Sequence, residues 1–309
     1  MNTFKDIIKD ICDELNIKMT IASKGWMIIL EKDNQTRYIL GNKFDLNTYA
    51  LGKTFDDKYA TYEMLKNLNL PVTYHEILFS PSNQSEFALD CNSYEYAYNF
   101  FERNNCNIVI KANEGGQGKN VFHITSREDI KTTLDELFIS NYSVSLCPYY
   151  DIKSEYRVIM LDGTPELIYK KIKPIIVGDG QSTVKELLLK LNQHYFEDNT
   201  NFKIDESKVL ENGEIFEYNW QFNLSNGATM TMDIDSNVKE KVLSIAKTVT
   251  NKTNLRFASV DVIELYDGTF MILEINCGVA THHFSNTISN GYQITKNIYK
   301  KAIIKMFNL

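Results

Sequence analysis

Residues 258–277 read ASVDVIELYDGTFMILEINC, two runs rich in alternating apolar residues separated by Asp267-Gly268. Asp-Gly between such runs marks a β-hairpin, because a two-residue type I′ turn requires positive φ at both central positions. With that turn, Tyr266 faces Thr269. Counting outward sets Asp261 opposite Glu274, with Asn276 two residues further along the same face. Val260, Val262, Leu273 and Ile275 then point to the other side. Directly opposed residues have Cβ atoms about 4.5–5.5 Å apart, and like charges placed there repel. A cation between them offsets the repulsion. Two carboxylates and an amide oxygen are hard ligands suited to Mg²⁺ or Mn²⁺. On this reading, removing either carboxylate relieves strain in the metal-free protein. The alternative is a solvated strand face that carries two acids without a ligand.

The chain has 309 residues, 43% of them hydrophobic and 12% aromatic, enough to bury a large core in two or three packed lobes. A formal charge of −7 argues against a nucleic-acid groove that works by neutralising phosphates, while leaving room for a local basic cleft. The five cysteines, Cys12, Cys91, Cys106, Cys147 and Cys277, are odd in number and lack Cys-x-x-Cys spacing. They suggest neither a disulfide framework nor a zinc knuckle, and a reducing cytoplasm fits them. The first fifteen residues read as an amphipathic helix with interspersed acids, unlike a signal peptide, and no apolar run reaches membrane-spanning length. The expectation is a cytoplasmic protein with no nucleic-acid or membrane partner.

Along the chain, residues 18–39 alternate as short strands of a small N-terminal module. Residues 56–70 place Ala60, Met64, Leu65 and Leu68 at helical spacing before Pro71, and VTYHEILF follows as a strand. Tyr94 to Arg103 reads as a helix, and NIVIKANEGGQGKNVFHI as strand, glycine-rich loop, strand. Ser126 caps the next helix. A second hairpin turns at Asp162-Gly163, and helices fall near 182–195 and 236–251. The class is mixed α+β with much antiparallel pairing.

Three further clusters carry chemistry. Lys111 interrupts an apolar strand just before Gly115, Gly116 and Gly118. Such glycines let backbone amides approach phosphate oxygens, and the ammonium can neutralise them. The alternative is an edge-strand lysine kept for solubility. Glu155 and Arg157 alternate with Tyr156, so both leave their strand on one face, and Lys171, Lys173 or both lie near that face; an exposed ion-pair ladder is the alternative. His282 and His283 follow Asn276 closely, and at most one of them faces the metal side. No nucleophile motif is present.

Taken in order, these segments resemble the ATP-grasp superfamily of carboxylate-amine ligases, in particular the ATP-grasp parts of cyanophycin synthetases and bifunctional glutathione synthetases. DKYATYEMLKNLNLPV is similar to the family's helix before the lid, and NIVIKANEGGQGKN to its lysine strand and phosphate loop. SEYRVIMLDG with KKIKPIIVGDGQSTVKEL resembles the hinge-proximal Glu-Tyr-Arg segment and the Val-Gly-Asp-Gly stretch. NLSNGA and VDVIELYDGTFMILEINCGVATHH resemble the second glycine turn and the metal-binding hairpin. The resemblance implies an α+β ATP-grasp fold, two α/β lobes enclosing the nucleotide, with a short N-terminal module at 1–55, the ATP-grasp domain at 56–309 and a lid lobe at about 95–150.

It also implies residue roles. Lys58 and Lys111, with Gly115, Gly116 and Gly118, would contact ATP phosphates; Glu155 would hold the ribose; the Pro148 carbonyl and Tyr150 amide would meet the base. Asp261, Glu274 and Asn276 would bind Mg²⁺ or Mn²⁺, and Arg157 and Lys171 would face the acyl phosphate or carboxylate. Lys171 stands where relatives more often carry arginine. Pro148-Tyr149 replaces the usual acidic pair at the hinge, Ala228 replaces the second glycine of its turn, and Gly278-Val279 replaces a proline-containing sequence. The implied activity is ATP-dependent peptide-bond formation through an acyl phosphate, on amino acid or peptide substrates. The short N-terminal module leaves open whether a second subunit, as in a homo-oligomer, completes the acceptor site. Rival readings are a nucleotide-binding regulatory protein without turnover and a small-molecule kinase.

Overall fold

The computed structural model describes residues 3–116, 118, 120–191 and 204–309. In chain order its strands are β1 (Lys18–Ala22), β2 (Met27–Lys32), β3 (Gln35–Leu40), β4 (Lys43–Phe44), β5 (Glu76–Phe79), β6 (Ile108–Ala112), β7 (Val121–Ile124), β8 (Ser143–Pro148), β9 (Ile152–Leu161), β10 (Thr164–Ile172), β11 (Ile175–Val177), β12 (Ile215–Glu217), β13 (Thr229–Thr231), β14 (Phe257–Leu265) and β15 (Phe270–Asn276). The helices that matter below are α1 (Phe4–Leu15), α2 (Tyr49–Asp56), α3 (Lys58–Asn67), α4 (Tyr94–Arg103), α5 (Arg127–Phe138), α6 (Val184–Leu191), α7 (Ser236–Thr253), α8 (His282–Thr287) and α9 (Gly291–Phe307). The helix expected at 182–195 is described as far as Leu191; its last residues lie outside the described set. No described helix is long and apolar enough to cross a membrane.

The chain forms two compact units. The first contains the residues up to Ile77 together with Tyr150–Tyr169 and Ile234–Leu309; the second contains Leu78–Tyr149 and Lys170–Asp233. The first 55 residues thus share a unit with the acidic hairpin. Their sheet runs β1-β2-β3-β4, with Ile28, Leu30 and Ile39 buried on one face. Helix α1 starts at a Thr3–Asp6 capping box and buries Ile7, Ile8, Ile11 and Cys12, as its amphipathic spacing requires. The other sheet of this unit runs β10-β9-β14-β15. Its inner face supplies Tyr156, Val158, Met160, Ala258, Val260, Val262, Ile272 and Ile275 to a core that also takes Leu65 from α3 and Val242, Ala246 and Val249 from α7.

In the second unit the sheet runs β5-β8-β6-β7. Residues Ile108, Ile110, Phe122, Ile124, Val144 and Leu146 are buried there, with Ala97 and Phe100 of α4 and Ile130 and Leu134 of α5. A smaller core joins Ile176, Val184, Leu188, Leu210 and Tyr218. The last residues of β10, Lys170–Ile172, count with this unit and pair with β13.

The two turns behave differently. Asp162 and Gly163 both have positive φ, 45° and 75°, as a type I′ turn demands. At the other hairpin only Gly268 is left-handed, at 83°, and its N–H donates to the Leu265 carbonyl at 3.0 Å. This is a three-residue loop, a type I turn closed by a left-handed glycine, so the expected two-residue turn is corrected. Glu264 therefore pairs with Phe270 and Val262 with Ile272. A bulge between Asp261 and Val262 absorbs Leu273 and returns the register, so Asp261 faces Glu274 after all. Ile272, not Leu273, takes the core position. Ser126 is also corrected: it precedes α5 but makes no capping bond to the backbone, its hydroxyl going to Glu128 instead.

Asn47 anchors the N-terminal residues to β14. Its Nδ2 donates to the Phe257 carbonyl at 2.6 Å, and its Oδ1 accepts from the N–H groups of Arg256 and Phe257 at 2.8 and 3.2 Å. Asn47→Ala leaves three backbone groups without their partner and is expected to lower unfolding free energy by about 2–3 kcal/mol in urea titration. A loss under about 0.5 kcal/mol would show that water replaces the side chain fully.

Candidate active site

Two clusters form, one in each unit. In the first, antiparallel pairing sets Arg157 of β9 opposite Asp261 of β14, and Asp261 opposite Glu274 of β15. Ser259, two residues from Asp261, pairs with Asn276. Directly paired residues share a face, so Arg157, Asp261, Glu274 and Asn276 stand on one side of the sheet. Glu155 joins them from β9, where it pairs with Ile263. The predicted metal set and the Glu155–Arg157 pair thus meet on one surface.

Asp261 is 2% exposed and Arg157 grips it with a fork: Nε donates to Oδ1 at 2.7 Å and Nη2 to Oδ2 at 2.6 Å. Burial opposes the guanidinium charge, but Asp261, Tyr169 and Glu155 outweigh it and raise the Arg157 pKa well above its ordinary value. The cation that the sequence required beside Asp261 is therefore supplied by the protein itself. Removing Asp261 would strand a charge instead of relieving one, which corrects the symmetrical expectation for the two acids. The exposed ladder is likewise excluded, because the Arg157 side chain is only 20% exposed.

The donor set still fits a divalent cation. Among the described residues no group of three or more His, Cys, Asp or Glu is placed to hold a metal, so an ion here would have the two carboxylates and Asn276 as protein ligands and would need non-protein oxygens besides. Each Asp261 oxygen accepts one N–H from Arg157. Glu274 has no hydrogen-bonding or ionic partner among the described residues.

The loop after Asn276 is fixed from two sides. The Val279 N–H donates to the Asn42 carbonyl at 3.0 Å, and Lys43 bridges to Gly278 in antiparallel fashion. The Tyr299 hydroxyl donates to the Val279 carbonyl at 2.8 Å and bonds the Thr281 hydroxyl at 2.7 Å. This loop delivers His282 and His283 to the start of α8. Burial lowers both imidazoles, and His283 is lowered further by His282 and by Arg157, so His283 lies within the field of the fork. Lys58 opens α3 directly after its cap, Asp57, whose carboxylate accepts from the Ala60 N–H at 2.8 Å. A lysine opposes the helix dipole there, and an anion would offset that. The Tyr74 N–H donates to the Tyr150 hydroxyl at 3.0 Å, which fixes the Tyr150 side chain.

In the second unit Lys111 lies on β6, an interior strand, so the edge-strand alternative is corrected. It pairs with Ser145 of β8 and Val121 of β7. Gly115 and Gly118 have φ of 136° and 67°, and a Cβ on Gly118 would lie 2.4 Å from Asn223 Nδ2. Gly118 and Asn223 of the NLSNGA turn thereby lie close together, as neither segment alone foretold. Pro148 ends β8 opposite Ile108. Lys171 is 5% exposed and pairs with Met230, while Lys173 is bound by Glu217 at 3.2 Å and lies over the Phe222 ring.

Sequence reasoning missed an aromatic group on the Lys111 face. His123 pairs with Val109, two residues before Lys111, and its ring stacks on Tyr149 with centroids 4.0 Å apart. Trp220 tilts against both, at 5.6 and 5.8 Å. Alternation in Val121–Ile124 placed His123 on that face; nothing local placed Trp220.

No family model matches the chain. The glutathione biosynthesis bifunctional protein GshAB of Streptococcus mutans is 29% identical over 156 residues, covering 50% of this chain and 19% of that protein. Cyanophycin synthetase of Geminocystis herdmanii is 22% identical over 279 residues, covering 81% of this chain and 30% of that protein. The chain spans about a fifth to a third of the length of these curated relatives. Among solved structures, D-alanyl-alanine synthetase A from Vibrio cholerae matches with a TM-score of 0.60 at 13% identity, over 97% of this chain and 90% of that one. A bifunctional glutathione synthetase from Pasteurella multocida matches with a TM-score of 0.51 at 16% identity, over 96% and 43%. The fold is ATP-grasp.

Within this ATP-grasp chain the acids are not equivalent. Asp261→Asn breaks a buried ion pair and is expected to cost about 3 kcal/mol in the metal-free protein. Glu274→Gln is expected to leave stability within about 0.5 kcal/mol or raise it, since an unpartnered carboxylate is removed. Paired urea titrations check this, and equal losses in the two variants would contradict it. Thiols offer a second check. Burial pushes Cys147 up to about 11, and Cys277 and Cys12 up to about 12, so none is a nucleophile near neutrality. A disulfide reagent at pH 8 is expected to label exposed Cys106 and spare these three in the native protein.

Proposed function

We propose that this chain is an ATP-dependent carboxylate-amine ligase that joins an amino acid or peptide carboxylate to an amine through an acyl phosphate. The observation that carries the reading is the row Arg157, Asp261, Glu274 with Asn276, one face of acids and a guanidinium in an ATP-grasp fold. Relatives named for glutathione biosynthesis and cyanophycin synthesis support it.

In the reaction, a carboxylate oxygen attacks the γ-phosphorus of ATP and ADP leaves. The amine nitrogen then attacks the acyl carbon, phosphate departs with the bonding pair, and the amine loses a proton. Asp261, Glu274 and Asn276 are the residues that would hold Mg²⁺ or Mn²⁺, which when bound neutralises phosphate charge and orients the transfer. Lys111 and the glycine loop hold phosphate oxygens, and Lys58 adds a second ammonium. Glu155 binds the ribose; Pro148 and Tyr150 meet the base through backbone groups. Arg157 and Lys171 face the carboxylate and the oxyanion formed in the second step. Catalysis of this kind rests on positioning and charge, and needs no covalent protein intermediate.

A mass-spectrometric screen with ATP, Mg²⁺ and pooled amino acids and peptides tests the proposal. The expected result is ADP, phosphate and a product lighter than its two substrates by one water. ADP with a phosphorylated product would make the chain a kinase, and nucleotide binding without turnover would make it regulatory. Lys111→Ala is expected to weaken ATP binding by about 1.5–3 kcal/mol in calorimetry, the loss of a charge-assisted contact. Lys171→Ala is expected to raise KM for the acid or lower kcat with ATP affinity unchanged, and Lys171→Arg to be milder. Full activity of Lys171→Ala at subsaturating acid would remove Lys171 from the site.

A further inference from the structure

We infer that Arg157 is a built-in counter-ion that a divalent cation displaces from Asp261, so that cation binding converts the guanidinium into a receptor for the anionic substrate. This rests on the reading of the hairpin as a cation site.

The argument starts from the order of the row. Arg157, Asp261 and Glu274 are successive cross-strand partners on β9, β14 and β15, so Asp261 has the guanidinium on one side and Glu274 on the other. Asp261 is almost wholly buried, and a buried carboxylate needs a counter-charge at all times. In the metal-free row the fork supplies it, engaging both Asp261 oxygens. The row then carries one net negative charge, and a divalent cation reverses it to one net positive charge. With the cation in place, attraction between Arg157 and Asp261 is opposed by the like charge beside it, and the fork has less reason to persist.

Released from Asp261, the guanidinium needs an anion in its place. Glu155 leaves β9 on the same face two residues away, and Glu155 and Tyr169 both favour the charged form. Burial, His282 and Arg157 hold the His283 imidazole below its ordinary range. A planar fork with free N–H donors suits a carboxylate or phosphate bidentately. Binding is then ordered: an anion engages Arg157 well only after the cation has taken Asp261. Without the cation the fork is closed and the row repels anions, which guards against unproductive acid binding.

The test reads the accessibility of Arg157 in the full chain. Samples without metal and with Mn²⁺ are treated with phenylglyoxal, modification of Arg157 is measured by peptide mass spectrometry, and Mn²⁺ occupancy is measured on the same samples by paramagnetic resonance. The expected result is at least a threefold faster modification of Arg157 with Mn²⁺ bound, slowed again by inorganic phosphate only when Mn²⁺ is present. Mn²⁺ bound with an unchanged Arg157 rate would overturn the displacement and leave the ligase reading standing. Failure of the chain to bind Mn²⁺ would overturn both. As a second readout, Arg157→Lys keeps the charge but loses the fork, and is expected to bind Mn²⁺ at least threefold more tightly than wild type; equal or weaker binding would overturn the inference.

Discussion

Asp261 is buried in the middle of a sheet with a glutamate opposite it on one neighbouring strand, and that placement constrains everything around it. A carboxylate at 2% exposure cannot stay ionised without a nearby positive charge. Arg157 meets the need from the other neighbouring strand with two bonds of 2.6–2.7 Å. The register that brings them together depends on a bulge that absorbs Leu273. Without it, the three-residue loop at Tyr266–Gly268 would leave Asp261 opposite Leu273.

The surroundings hold this row still. Below it, Val260, Val262, Ile272 and Ile275 pack into a core shared with α3 and α7. At its end, Asn42, Lys43 and Tyr299 fix the loop that follows Asn276 and carries the two histidines. Asn47 ties the same N-terminal residues to the start of β14. The N-terminal residues therefore support the candidate site through the backbone of Asn42 and Lys43 and the side chain of Asn47.

Much of the fold was legible because its signals are local. Period-two alternation gave β9, β10, β14 and β15, helical spacing ended by Pro71 gave α3, and Asp162-Gly163 gave its turn. The Asp261–Glu274 pairing was reached through the wrong turn: a one-residue error at Gly268 was cancelled by the bulge, which no local pattern announces. Pairing between β9 and β14 joins residues about a hundred positions apart, so the Arg157–Asp261 fork was invisible, and with it the unequal roles of the two acids. Lys111 stood out as a charge in an apolar strand, but its place on an interior strand depends on where β8 inserts. Trp220 reaches His123 and Tyr149 from an irregular segment with no periodicity to read.

The central claim is that the face bearing Arg157, Asp261, Glu274 and Asn276 is a cation site in a ligase of ATP-grasp fold. A crystal structure with Mn²⁺ and a non-hydrolysable ATP analogue tests it most directly, through the anomalous signal of the metal. The account predicts a peak about 2.0–2.3 Å from carboxylate oxygens of both Asp261 and Glu274, also bound by phosphate oxygens of the analogue. A metal found elsewhere in the chain, with Glu274 unliganded, would contradict it.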